Sequence, residues 1–254
     1  MILALDAGNT NIVAGCIDGE KILFIERIKT DTSKTELEYI VLFQELMHLH
    51  KIANDEIEGA IISSVVPPLN NIITGAVRKM FGIEPQIICP GIKTGLRIMV
   101  DDPATVGSDL IADTVAGLEY YGAPLIIIDM GTATTVTVLD KDKSFIGGAI
   151  MPGVGATMDA LVSRTSQLPR IALEAPRKII GTNTVDCMKS GIIIAQAAAM
   201  DGMIDRMWNE LGYETKVVAT GGLASSIVPN CSHDIIIDNE LILKGLKVIY
   251  EKNK

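Results

Sequence analysis

No apolar run in this sequence approaches the ~20 residues that span a bilayer, so a membrane-spanning helix is not expected. The start, Met1-Ile2-Leu3-Ala4-Leu5-Asp6, has neither a basic leader nor a long apolar stretch, which argues against a secretory signal. Cysteine is sparse. Cys16, Cys89, Cys187 and Cys231 lie far apart without metal-ligand spacing, and free thiols in a reducing cytoplasm are expected. Histidine is rarer still: His48 and His50 point in different directions on a predicted helix, His233 is remote, and no histidine metal site is expected. Basic charge is short, with 22 Lys and Arg against 31 Asp and Glu. The net charge of −9 disfavours non-specific binding to nucleic acid or anionic membrane. A Walker loop and a dinucleotide fingerprint after a strand are both missing.

What is present is a 48% apolar chain of 254 residues, long enough for one large domain or two smaller ones. Ile2 to Leu5 reads as a buried strand, followed by Asp6-Ala7-Gly8-Asn9-Thr10-Asn11. A second strand, Ile12 to Ile17, turns at Asp18-Gly19 into a third, Ile22 to Ile28. Ser33-Lys34-Thr35-Glu36 fits a capping box before a helix to about Lys51. Ala60 to Val65 reads as a strand, Pro67-Pro68 as the start of a helix through Phe81, and Gln86 to Cys89 as a strand.

The pattern then repeats. Leu125 to Ile128 is a buried strand, and Asp129-Met130-Gly131-Thr132-Ala133-Thr134 follows it. Thr135 to Leu139 and Ser144 to Ile150 form a hairpin. Helices are predicted around 155–163 and 185–211, strands at Lys216 to Ala219 and Ile235 to Ile237, and a closing helix at Leu241 to Tyr250. The two aspartates lie 123 residues apart, about half the chain. The expectation is a duplicated α/β architecture facing across a cleft: residues 1–102, a joining helix over 103–121, and residues 122–254.

Each Asp-x-Gly loop ends a buried strand. Glycine lets the backbone turn sharply and approach a ligand closely. Asn9, Thr10 and Asn11, or Thr132, Thr134 and Thr135, add donors, and successive N–H groups in such a turn form an anion nest. Phosphates suit this chemistry, and an aspartate beside them can hold a counter-cation. A third element, Val106-Gly107-Ser108-Asp109-Leu110, opens the joining helix. Phosphoryl transfer needs positioning, charge neutralisation and a carboxylate to take the hydroxyl proton, and Asp109 is the candidate. Asp113 lies one turn further along the same face.

The phosphate-binding pattern resembles that of the actin, sugar-kinase and Hsp70 superfamily. Across nearly the whole chain the sequence resembles the type III pantothenate kinases. The match runs from Asp6-Ala7-Gly8-Asn9-Thr10-Asn11 through Pro103 with Val106-Gly107-Ser108-Asp109 to Asp129-Met130-Gly131-Thr132-Ala133-Thr134. It continues in Gly147-Gly148-Ala149-Ile150-Met151-Pro152-Gly153, Gly181-Thr182-Asn183-Thr184 and Ala219-Thr220-Gly221-Gly222. The resemblance implies an actin-like (ribonuclease H-like) fold and transfer of phosphate from ATP, with Mg2+, to pantothenate in a cytoplasmic enzyme. It implies that Asp6, Ala7, Gly8, Asn9, Thr10, Asn11, Ile12 and Val13 form the first phosphate loop, with Asp6 near the magnesium. Thr132 would contact ATP, and Asp129 would bind K+ or NH4+. Asp109 would be the general base, Gly107, Ser108, Asp109 and Leu110 would line the pantothenate pocket, and Thr184 would contact pantothenate. Gly221-Gly222 would pack near the adenosine, and a homodimer would complete the pantothenate pocket at its interface.

Two positions depart from the family pattern. Leu110 stands where arginine is common and Val100 where tyrosine is frequent. The pantothenate carboxylate then needs another partner, for which Arg164 and Arg97 are candidates. The alternatives are a kinase for another small hydroxy acid or sugar, and a non-enzymatic ATP-binding regulator on the same fold.

Overall fold

The computed structural model describes residues 1–254, which group into two compact units. The first comprises Met1–Leu96, Asp101–Ala116 and Glu240–Lys254, and the second Arg97–Val100 and Gly117–Asn239. This differs from a linear division at 102 and 121, because the last fifteen residues belong with the first unit.

The first unit begins with strands β1 (Ile2–Ala7), β2 (Asn11–Asp18) and β3 (Lys21–Lys29). Helix α1 (Glu36–Leu49), strand β4 (Gly59–Ser64), helix α2 (Pro67–Phe81) and the short β5 (Gln86–Ile87) follow. The sheet order is β3-β2-β1-β4-β5, antiparallel between β1, β2 and β3 and parallel from β1 to β4 to β5. Helix α1 is capped by Thr35, whose side chain accepts from the Glu38 N–H while Glu38 accepts from the Thr35 N–H. The capping box therefore sits two residues beyond the expected Ser33–Glu36. Ser33 instead donates to Asp31 in a tight turn. Pro67 and Pro68 open α2 as expected, since its first N–H groups need no helical partner.

In the second unit β6 (Arg97–Ile98), unforeseen in the sequence, pairs with a later strand. Helix α3 (Ser108–Tyr121) leaves the first unit and enters the second at Gly117. Strands β7 (Leu125–Met130), β8 (Ala133–Leu139) and β9 (Ser144–Pro152) form a meander, followed by helices α4 (Val154–Arg164) and α5 (Thr184–Lys189). A π-helical turn, Ser190–Ile194, joins α5 to α6 (Ala195–Leu211). The expected helix over 185–211 thus carries a wide turn that changes its phase. Strand β10 (Lys216–Thr220), helix α7 (Ala224–Ile227), strand β11 (Ile236–Ile237) and helix α8 (Leu241–Lys252) complete the chain. The second sheet runs β11-β10-β7-β8-β9-β6. Its first five members repeat the order and directions of the first sheet, and each hairpin carries a bulge near its far end. The duplication expected from the two Asp-x-Gly loops is present in the topology.

Strand parity decides which residues reach the site. In β1, Leu3, Leu5 and Ala7 join the core beneath α1 and α2, whereas Ala4 joins the core beneath α8 and α3. Asp6 shares the Ala4 face. In β4, Ala60 and Ile62 face α1 and α2, and Ile61 the other layer, so Ser63 points to the same side as Asp6. Helix α8 lies close on this face. Modest side chains added at Gly15 and Gly59 would strike Leu243 and Tyr250, and one at Gly245 would strike the backbone of Ala112 in α3.

Candidate active site

Asp6 is the last polar position of β1 before the chain turns at Gly8. The Gly8 N–H donates to the Asn11 carbonyl at 3.0 Å, closing the loop. Thr30, just past β3, braces it from outside: its hydroxyl donates to the Gly8 carbonyl at 2.6 Å and its N–H to the Thr10 carbonyl at 3.0 Å. Asn9, Thr10 and Asn11 stand exposed at the tip, while Ala7 and Ile12 are buried beneath it and Val13 is half-buried. In the second unit the Gly131 N–H donates to the Ala133 carbonyl at 3.1 Å, the counterpart of the first closure. Thr132 and Ala133 are exposed at that tip. Gly153 packs against this loop so closely that an added side chain would meet the carbonyls of Gly131 and Thr132.

Asp129, one residue before the end of β7, lies opposite Thr220 of β10, as Asp6 lies opposite Ser63 of β4. Gly221, at a φ of +95°, follows Thr220, and a Cβ there would come to 2.5 Å from the Asp129 Oδ1. Glycine is thus required by both backbone and space. The Gly221 half of the Gly221-Gly222 pair therefore abuts Asp129.

Gly107 supplies the carbonyl that accepts the first helical bond of α3, from the Ile111 N–H at 3.1 Å. Asp109 is in the first turn of that helix, and its Oδ1 accepts from the Leu110 N–H at 2.8 Å. Burial pushes the Asp109 carboxyl above the ordinary carboxylate value of 3.8, against the opposing pull of the Leu110 and Asp109 backbone N–H groups. A base with a raised pKa at a helix start suits proton abstraction near neutral pH.

Ser108 is buried and joined to β4. Its Oγ accepts from the Ser64 N–H at 3.0 Å and lies 2.9 Å from the Ser63 Oγ. Ser63 in turn donates to Asp6 Oδ1 at 2.7 Å. Within the first unit, therefore, the loop aspartate and the start of the Asp109 helix belong to one hydrogen-bonded group. Sequence reasoning missed Ser63; two serines ending the otherwise apolar Ala60-Ile61-Ile62 were the available signal. It also missed Gln196, whose amide donates to the buried Thr134 hydroxyl at 3.2 Å from just past the π-helical turn. Thr30 gave no local sign.

Thr184 is the first residue of α5 and is exposed. Asn183 caps that helix by accepting from the Asp186 N–H at 2.9 Å. Gly181 folds over the first turn, where a Cβ would lie 2.5 Å from the Cys187 N. Arg97 and Arg164 are both exposed in the second unit. A concavity of about 610 Å3 beside Trp208, Tyr213 and His233 contains none of the expected site residues.

Magnesium on a nucleotide takes one or two protein carboxylates together with phosphate and water oxygens. Asp6 fits, as a carboxylate at a strand end beside exposed amide and hydroxyl side chains. No group of three or more His, Cys, Asp or Glu side chains is gathered to cage an ion. An ion at Asp6 or Asp129 would thus be completed by backbone, phosphate or water oxygens. No helix is long and apolar enough to cross a membrane.

Two copies of a strand–loop–hairpin unit, each with an aspartate one residue before the end of its first strand, define an actin-like fold. Solved structures agree on the fold alone. Component A of the (R)-2-hydroxyglutaryl-CoA dehydratase of Acidaminococcus fermentans superposes with a TM-score of 0.58 at 13% identity, over 100% of this chain and 99% of that one. The ethanolamine utilization protein EutJ of Carboxydothermus hydrogenoformans gives 0.55 at 13% identity, over 97% and 88%. Sequence is more specific. The family model for type III pantothenate kinase matches residues 2–206. The type III pantothenate kinase of Geobacillus sp. (strain WCH70) is 45% identical over 100% of this chain and 98% of its own. That of Moorella thermoacetica is 42% identical over the full length of both. The chain belongs to the type III pantothenate kinase family.

Proposed function

We propose that this chain transfers the γ-phosphoryl group of ATP to the primary hydroxyl of pantothenate, giving 4'-phosphopantothenate and ADP, the first step of coenzyme A biosynthesis. The observation that carries the reading is Asp109, a carboxylate of raised pKa at the first turn of α3. It follows directly on Ser108, which is hydrogen-bonded through Ser63 toward Asp6. Asp109 takes the hydroxyl proton as the oxygen bonds to phosphorus and the bond to the ADP oxygen breaks. Asp6 through Val13 hold phosphate oxygens, with Asp6 directed to the magnesium, which neutralises charge on them when bound. Thr132 contacts ATP from the second loop, and Asp129 holds K+ or NH4+. Gly107, Ser108, Asp109 and Leu110 line the acceptor side, and Thr184 contacts pantothenate.

The chain acts as a homodimer in which Thr184 completes the partner's acceptor pocket. Exposed Ala198 and Ala199 on α6, with Ile150, Ile179 and Ile180 at 75%, 69% and 82% exposure, support a surface that a second copy would cover. An ADP-release assay tests the function, with pantothenate and a panel of other small hydroxy acids and sugars, each with and without potassium. Turnover with pantothenate, raised by potassium, is expected. A different acceptor preferred over pantothenate would overturn the substrate, and Leu110 in place of the family's common arginine makes the panel informative.

A further inference from the structure

Asp6, Ser63 and Ser108 form one hydrogen-bonded group. The Asp6 carboxylate, when ionised, can only accept, so the single Ser63 proton goes to its Oδ1 across 2.7 Å. The Ser63 and Ser108 hydroxyls lie 2.9 Å apart, within hydrogen-bond distance. Ser108 also accepts from the Ser64 N–H at 3.0 Å. The contacts run from the β4 backbone through Ser108 and Ser63 to Asp6. Ser63 has no solvent exposure and Ser108 only 8%, so water competes poorly for either bond. The register adds a second sign. The duplicated sheet sets the hydroxyl residue Thr220, itself buried, opposite Asp129, as Ser63 stands opposite Asp6.

From this chain of bonds we infer that Ser63 is a positioning residue for the magnesium-nucleotide. Backed by Ser108, it fixes the rotamer of the Asp6 carboxylate and ties it to the first turn of the Asp109 helix. The Ser108 hydroxyl serves this brace from the side of β4. The inference rests on the functional reading above, yet it can be tested with no acceptor present.

The experiment is calorimetric binding of ATP with excess Mg2+, and of ATP with a metal chelator, to the wild type, Ser63→Ala, Ser63→Thr, Ser108→Ala and the double alanine variant. Removing a hydrogen bond to a charged group typically costs about tenfold or more. Ser63→Ala should weaken Mg-ATP by about tenfold while changing metal-free ATP little. Ser63→Thr, which keeps the hydroxyl, should restore most of the affinity. Ser108→Ala should shift Mg-ATP in the same direction by less. In this brace Ser108 acts on Asp6 through Ser63, so the double variant should match Ser63→Ala. Equal weakening of both forms of ATP, or wild-type Mg-ATP binding by folded Ser63→Ala, would overturn the brace. If Ser63→Ala proves unfolded by thermal melting, Ser63→Thr and Ser108→Ala decide by the same criteria. A wild type that binds Mg-ATP but never phosphorylates pantothenate would sink the substrate and leave the brace to these binding data.

Discussion

The carboxylate of Asp109 occupies the space that a side chain on Gly107 would need, with Val65 Cγ1 lying 3.7 Å from the same point. The glycine is there for volume, since its backbone lies outside the left-handed region. Gly107→Ala should therefore fold and melt near the wild-type temperature while displacing the carboxylate. A misplacement of about 1 Å can cost ~10²-fold in rate, and a kcat loss of that order is expected. Steady-state kinetics beside a melting curve check it; normal turnover would show that Asp109 tolerates the shift.

Asp109→Asn should lower kcat by ~10²–10⁴-fold with Mg-ATP binding retained. The same change should leave the melting temperature equal or higher. Burial raises the folded pKa of this carboxyl, so the native state resists its charge at neutral pH, and a neutral amide of the same shape removes that penalty. A marked fall in melting temperature would show that the carboxylate stabilises the fold instead.

The pH dependence has a defined sign. Between 3.8 and the raised value the folded chain binds more protons at Asp109 than the unfolded chain. This group's contribution to stability therefore declines as pH rises through that window, while the fraction of active base increases. A profile of kcat/KM should show an acidic limb displaced upward from an ordinary carboxylate. Its absence in a profile taken down to acid pH would remove Asp109 as the base.

Gly221→Ala places a side chain at a φ of +95° and against Asp129 Oδ1. A left-handed conformation costs roughly 1–2 kcal/mol for a residue with a Cβ, and a loss of at least that size is expected from chemical denaturation. The response of the rate to potassium should fall with it, as in Asp129→Ala. Full potassium activation in both variants would mean that the ion sits elsewhere.

Thr184 is exposed at the start of α5, and the homodimer proposed above places it in the partner's pocket. Asp109→Asn and Thr184→Val chains, each nearly inactive alone, should recover activity when mixed, since one site in the heterodimer keeps both native residues. Subunit exchange is verified first with tagged chains. Exchange without recovered turnover would rule out the shared site.

The sequence revealed the elements whose signals are local. Apolar runs bounded by Asp-x-Gly loops located β1 and β7, and Pro67-Pro68 located α2. Features set by distant partners were not visible. Ser33 and Thr35 both lie within reach of a following glutamate, and Thr35–Glu38 prevails because Asp31 already holds Ser33. Strand β6 is two residues long and exists only by pairing with β9. The π-helical turn has no composition of its own, yet Gln196 follows directly on it. The catalytic candidates were legible as loop and helix-start motifs. Ser63 was not, because its meaning depends on a strand register and on a residue 45 positions away.

Helix α8 closes the face of the first sheet against Gly15, Gly59 and Ala112, although it comes after every residue of the second unit in the sequence. The residues of the second unit end at Asn239. On the ribosome, then, the first unit cannot close its core until residues 240–254 emerge, after every residue of the second unit. Until they do, the apolar face that receives Leu243, Leu246 and Ile249 is open to chaperones, and a premature stop before Leu241 should yield a protein whose first unit, not its second, is cleaved by proteases.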